Sequence, residues 1–447
     1  MENEADGDEA KRDDAGFPAR DRAPGLLMAA IADDLTGGVE LASMMVSQGV
    51  RVGLAIGVEG TLDPHCTAQV VALKTRTVPR AQAETETAAA FRRMKPREPL
   101  HTFLKYCATF DSTPDGNIGP AAETLLGEVG DDFTLFCPTF WEVERYVFQG
   151  YHFAGPQLLS ESPKRFDPLT PMTDSNLLRV LAAQSRGKVG LIPFNVVHAG
   201  GDAVAARIRR LKAEGVSLAI ADAASGPDID AIAQGGFGLR LLTGNSGLAA
   251  SLAAEWHRRG LTGGRPAPAP LPGIEGRAVV LAGSCGERTL EQLTVFEAHR
   301  PVLRLDVDAA CRGEELLPSA LRWAAAHGDG GPIAIATSAG PTEVDRLQST
   351  HGARRVADVA ESLLSRIGAA LVRTLGVRRI LVAGGETSGA ILRELGVTSL
   401  AVGRFEGPGL SRSVSGDGSL AFVLKSGKLG PKDMFLPALE ALRSNAH

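Results

Sequence analysis

The sequence has no apolar run near the roughly 20 residues needed to span a bilayer. Its charges nearly cancel, with 47 Lys and Arg against 52 Asp and Glu, a net charge of −5. Neither a membrane span nor a nucleic-acid partner is therefore expected. Cysteine is scarce: Cys66, Cys107, Cys137, Cys285 and Cys311 are odd in number, scattered and without metal-ligand spacing. That usage fits reduced thiols and a cytoplasmic setting, not a disulfide framework. Two nucleotide signatures are also missing, G-x-x-x-x-G-K-[ST] and a G-x-G-x-x-G following a strand. Their absence counts against a P-loop NTPase and an ordinary Rossmann dehydrogenase. Residues 1–24 lack the apolar centre of a secretory signal and are too charged to bury, so a disordered acidic tail is expected there.

What the chain does have is apolar surface and glycine. Its 447 residues are 44% hydrophobic and include 52 glycines, which predicts two or three domains rich in tight turns. Apolar runs of strand length at 26–32, 50–56, 70–74, 101–106, 132–138, 188–193 and 217–223 alternate with helical stretches such as 39–49 and 80–94. Continuously apolar strands separated by helices indicate a parallel sheet covered on both faces. Residues 258–277, RRGLTGGRPAPAPLPGIEGR, are dense in Gly and Pro and read as a linker. The pattern then resumes at 278–284, 301–307, 332–338, 378–385 and 420–426, with an amphipathic helix over 358–375. The expected fold class is α/β with two domains, 25–258 and 277–447, joined by a linker at 259–276. Each has a mainly parallel sheet flanked by helices.

Ligands of open α/β sheets sit beyond the carboxyl ends of the strands, and several strand-end loops are chemically dense. IADDLTGGVE (31–40) sets Asp33, Asp34 and Thr36 beside two glycines. The carboxylates suit Mg²⁺, sugar hydroxyls or a base acting on an alcohol, while Asp34 or Thr36 also suits a helix cap. Lys74 and Arg76 in LKTRT would point the same way if the strand persisted, as a clamp for an anion or as a solvated rim. KYCATFDSTPDGNIGP (105–120) packs Lys105 and Asp111 into a constrained polar loop. In FDPLTPMTDSN (166–176), Thr173 or Asp174 is the expected cap of the next helix, and Cys107 and Cys137 are expected to be buried structural thiols. AGSCGERT (282–289), AGGETSGA (383–390) and KSGKLG (425–430) are glycine-bearing strand ends suited to phosphate.

Taken together, KYCATFDSTPDGNIGP, FDPLTPMTDSNLLRVL and VAGGETSGA resemble the four-carbon acid sugar kinase family, in motif order from about 27 to 440, and most closely its 3-oxo-tetronate kinases. The resemblance implies an N-terminal domain for the sugar acid, a C-terminal domain for ATP and an active site in the cleft between them. It implies transfer of the ATP γ-phosphate to the C4 hydroxyl of a four-carbon sugar acid, with Mg²⁺ expected and its ligands unassigned. Catalytic residues would be Asp33 or Asp34. Substrate contacts would come from Thr36, Lys74, Arg76, Lys105, Asp111 and Arg145. Ser284, Gly384, Gly385, Glu386, Thr387, Gly427 and Gly430 would surround the nucleotide. A homodimer is a further expectation. The sequence departs from the family pattern at Glu40 (usually Asp), at Val143 and Glu144 (usually Asn-Gly) and at Lys428. The alternatives are therefore a threonate, erythronate or branched 3-oxo-acid kinase, or a non-catalytic ligand-binding relative.

Overall fold

The computed structural model describes residues 25–167, 169–263, 270–407 and 410–443. The expected tail over 1–24, and 264–269 within the expected linker, lie outside the described residues. The first half contributes Leu26–Ala32 (β1), Val52–Ile56 (β2), Ala68–Ala72 (β3), Pro99–Lys105 (β4) and Thr134–Cys137 (β5). A small hairpin sheet follows, made of Arg145–Phe148 (β6), Tyr151–Ala154 (β7) and Gln157–Leu158 (β8). Val189–Ile192 (β9), Leu218–Ala221 (β10) and Leu241–Gly244 (β11) complete the half. The second half contributes Arg277–Ala282 (β12), Val302–Arg304 (β13), Ile333–Ala336 (β14) and Val377–Ala383 (β15). It ends with Ser399–Val402 (β16), Ser411–Ser415 (β17) and Ala421–Lys425 (β18).

Each half is built on parallel strands, in the orders β2-β3-β1-β4-β11-β5-β10-β9 and β13-β14-β12-β15-β18. β1, buried along its whole length, shows why the apolar runs read as strands: both faces are covered by helices. The expectation of a separate sheet in each domain needs amending. β17 and β16 continue antiparallel from β18, and β16 pairs with β2, so the halves share one sheet. The two halves also wind alike. After β1 the chain passes to β2 and β3 on one side and then to β4 on the other; after β12 it does the same with β13, β14 and β15. Each opening strand is thus a switch point, where a crevice forms at its carboxyl end.

The helix after β1 begins at Leu35, four residues earlier than its apolar run suggests, because Asp34 caps it by accepting from Gly37 N. The helix Leu177–Gln184 is capped by Asn176, which accepts from Arg179 N, not by Thr173 or Asp174. Asp174 instead accepts from Asn176 N and pairs with Arg179. Among the described residues no helix is long and apolar enough to cross a membrane.

Candidate active site

The carboxyl end of β1 carries Asp33 and Asp34, which fix Arg76 from the loop after β3. Arg76 Nε and Nη2 donate to the two Asp33 oxygens at 2.9 and 2.8 Å, and Nη2 also donates to Asp34 Oδ1 at 2.8 Å. Asn117 holds this loop by donating from Nδ2 to the carbonyls of Thr75 and Val78. Burial pushes the Asp33 carboxyl above the usual range, against the pull of Arg76. Burial also opposes the Arg76 charge, but the two aspartates outweigh it and hold the guanidinium protonated. Asp34 Oδ2 makes no hydrogen bond among the described residues.

Lys74 and Arg76 part company because β3 ends at Ala72. Lys74 reaches to the second half, 2.6 Å from Glu386 and 3.6 Å from Glu361. Lys105, at the end of β4, is buried; its Nζ donates to Tyr106 O and lies 3.7 Å from Glu40 Oε1, which also accepts from Ser246 Oγ. Gly37 is required here, since a Cβ would sit 2.5 Å from Asp34 Oδ1 and 3.2 Å from Lys105 Nζ.

Asp111 is held by Lys164 Nζ at 2.8 Å and by Thr109 Oγ1 at 2.6 Å. Lys164 went unflagged in the sequence; its nearness to FDPLTPMTDSN was the available signal. Cys107 is not fully buried as expected: it lines the cleft, and its Sγ accepts from Asp111 N. Burial, reinforced by Asp111, pushes that thiol up to about 12, which keeps it protonated and unreactive. Cys137 is buried as expected.

Arg145 opens the small sheet. The tight turn Gln149-Gly150 has φ of 52° and 74°, the left-handed pair a two-residue hairpin of this hand needs. Asp222 pins the turn by accepting from Gln149 N and Gly150 N. Arg145 Nη1 donates to the Val143 and Glu144 carbonyls, and no carboxylate pairs with Arg145 among the described residues.

The second half supplies glycine-lined strand ends. A Cβ at Gly283 would strike Thr387 Oγ1, and one at Gly427 would strike Ser284 Oγ. Gly384 has φ of 133°, and Gly385 begins the helix Gly385–Glu394. A Cβ on Gly385 would lie 3.2 Å from Thr36 Oγ1, whose hydroxyl is buried without a hydrogen-bond partner. Backbone N–H groups at such a helix start are well placed for an anion.

One cleft of about 880 Å³ is lined by Asp34, Thr36, Arg76, Lys105, Asp111 and Arg145 from the first half. It is also lined by Ser284, Gly384, Gly385, Glu386, Thr387 and Gly427 from the second. The departures Glu40, Val143, Glu144 and Lys428 line it too. Three expected site residues stand outside this lining. Asp33 is buried behind it, and Lys74 borders an adjoining recess with Asp34 and Glu386. Gly430 packs on Met434, its carbonyl accepting from Gln292 Nε2.

Comparison with known proteins bears on this cleft. A family model described as a sugar-binding N-terminal domain matches residues 28–252, and one described as a nucleotide-binding C-terminal domain matches 279–435. The chain is 42% identical to a 3-oxo-tetronate kinase of Cupriavidus necator, over 93% of this chain and 97% of that protein. It is 43% identical to a 3-oxo-tetronate kinase of Pseudomonas fluorescens, over 94% and 98%. A crystal structure from Salmonella typhimurium LT2 aligns with TM-score 0.82 at 33% identity, over 92% of this chain and 98% of that one. A second, from Haemophilus influenzae, aligns with TM-score 0.75 at 33% identity, over 93% and 100%. Matched along both halves, the chain belongs to the four-carbon acid sugar kinase family.

Proposed function

We propose that this protein is an ATP-dependent kinase that phosphorylates the terminal C4 hydroxyl of a four-carbon sugar acid, 3-oxo-tetronate before its relatives. The observation that carries the reading is the single cleft. Carboxylate and basic side chains of the sugar-binding half face the glycine-lined strand ends of the nucleotide-binding half across it.

The residues fit the groups the reaction needs. Gly283, Gly384 and Gly427 lack room for a Cβ or adopt a backbone that disfavours one, as expected where phosphates approach main-chain N–H groups. Glu386 is a cleft carboxylate suited to Mg²⁺, which usually takes one or two protein carboxylates beside phosphate oxygens. When bound, ATP supplies the phosphoryl group and Mg²⁺ neutralises its developing charge.

Within this reading the two aspartates divide the work. Asp33 spends both oxygens on Arg76 and is a positioning residue. Asp34 Oδ2 is free to accept the proton of the sugar hydroxyl, a general-base contribution worth roughly 10²–10⁴ in rate. Arg145, with no carboxylate partner, anchors the substrate carboxylate, and Lys105 and Asp111 orient hydroxyls. Thr36 Oγ1, between the two halves, donates to the group in transfer. Such transfer depends chiefly on alignment and charge neutralisation.

A coupled assay of ADP release with 3-oxo-tetronates, threonate, erythronate and branched analogues tests the function. Turnover with 3-oxo-tetronate above the others supports it, and no turnover above background ATPase with any of them refutes it. A cytoplasmic setting and a homodimer belong to the same reading; cell fractionation and light scattering check them.

A further inference from the structure

Lys425 closes β18 with its side chain fully buried. Its Nζ donates to Thr289 Oγ1 at 3.1 Å, and Thr289 Oγ1 donates onward to the Gly427 carbonyl at 2.8 Å. Among the described residues no carboxylate lies within ion-pair distance of this ammonium. Arg288, on the helix Glu287–Glu297 that also carries Thr289, is the one charged group acting on it, and it is repulsive. The helix Phe435–Ala441 offers the Phe435 ring, 6.0 Å away, and β15 places Ala383 alongside. A buried cation without a counter-ion is costly and is rarely kept without a purpose.

The environment points to one. The residues directly after Lys425, Ser426 to Leu429, line the cleft on its nucleotide side. Gly427, whose carbonyl ends the Lys425–Thr289 relay, packs against Ser284 so closely that no side chain fits, and Ser284 Oγ accepts from Gly286 N. Lys425 therefore sits immediately behind the wall that the proposed function assigns to phosphate.

We propose that Lys425 is a positioning residue for the nucleotide: its charge orients the Gly427 wall through Thr289, and the phosphates of bound nucleotide are its missing counter-ion. This rests on the nucleotide reading of the cleft. Burial, aided by Arg288, pushes the ammonium down to about 8 in the free protein. An anion arriving nearby raises it again, so nucleotide binding above pH 8 takes up a proton, and affinity falls as pH rises from about 8 to 9.5.

The experiment is calorimetry of ADP binding to the full chain at pH 7.0, 8.5 and 9.5, in buffers of different ionisation enthalpy. It is run on the wild type, Lys425→Met and Thr289→Val, with steady-state kinetics alongside. The expected result is net proton uptake by the wild type at pH 8.5 that Lys425→Met abolishes. Lys425→Met should weaken ADP at least tenfold and raise KM for ATP by a similar factor, with KM for the sugar acid within twofold. It should also melt no lower than the wild type without nucleotide, because an unpaired buried charge is gone, yet gain less from added ADP. Thr289→Val should fall between the two. A wild type that binds ADP without proton uptake overturns the role of Lys425, as does Lys425→Met binding ADP within twofold. If Lys425→Met does not fold, the wild-type proton uptake decides. A wild type that binds no ADP at any pH refutes the nucleotide reading itself.

Discussion

Arg76 and Asp33 hold each other in a two-point grip at the cleft wall, Nε to Oδ2 at 2.9 Å and Nη2 to Oδ1 at 2.8 Å. Removing Asp33 takes away two of the three contacts on Arg76 and leaves the guanidinium on Asp34 Oδ1 alone, at a cost of about 1–3 kcal/mol. Asp33→Ala is expected to lose stability on that scale in urea unfolding and to lose turnover with it. Arg76→Lys should not rescue the geometry, because an ammonium cannot present two parallel donors.

Asp34 should behave differently. Asn is as good a helix cap as Asp, so Asp34→Asn should unfold within about 1 kcal/mol of the wild type. Its kcat should nevertheless fall by roughly 10²–10⁴, with KM for ATP little changed. Steady-state kinetics beside denaturant unfolding checks both halves of the expectation.

Arg145→Gln is expected to raise KM for the sugar acid by roughly 10²-fold, the scale of losing a charge-assisted contact, while KM for ATP stays within twofold. Varying each substrate in turn separates the two. Equal effects on both constants would argue against Arg145 as the carboxylate anchor.

His152 gives a pH prediction. It is fully buried on β7, and burial, with Arg145 adding to it, pushes its pKa down to about 3. The folded state therefore binds fewer protons than the unfolded chain between about pH 3 and 6.5. This contribution to stability is whole above 6.5 and is lost as pH falls through the window, on the order of 5 kcal/mol in all. Urea midpoints for the wild type should drop across this range more steeply than those of His152→Leu.

The strands of the parallel blocks were legible because burial on both faces leaves them almost wholly apolar, as in LLMAAIA and AVVLA. β11 was missed as a four-residue run between polar turns. β16 and β17 were missed because their SLAV and SRSVS mix exposed or polar positions with few apolar ones. Those two strands decide how the halves join, so the joining was hidden with them. At the site, chemically dense loops revealed Asp34, Arg76 and the Gly384–Thr387 turn. Their pairing could not be read: Lys74 and Arg76 separate only because β3 stops at Ala72. Lys164 and His152 carry no local motif, and KSGKLG marks Lys425 as a strand end without showing its burial; only the packing of distant segments gives all three their surroundings.

The join between β16 and β2 is small, Leu400 beside Leu54 and Ser399 beside Ala55, with Thr398 O accepting from Ile56 N and Thr61 N. It is nonetheless backbone to backbone. The halves are thus tied by more than the covalent crossing at 259–276; a chain nicked there would retain a shared ladder. A closing of the cleft would then flex this seam, and strain the Lys74–Glu386 bridge beside it, rather than swing two bodies on a tether.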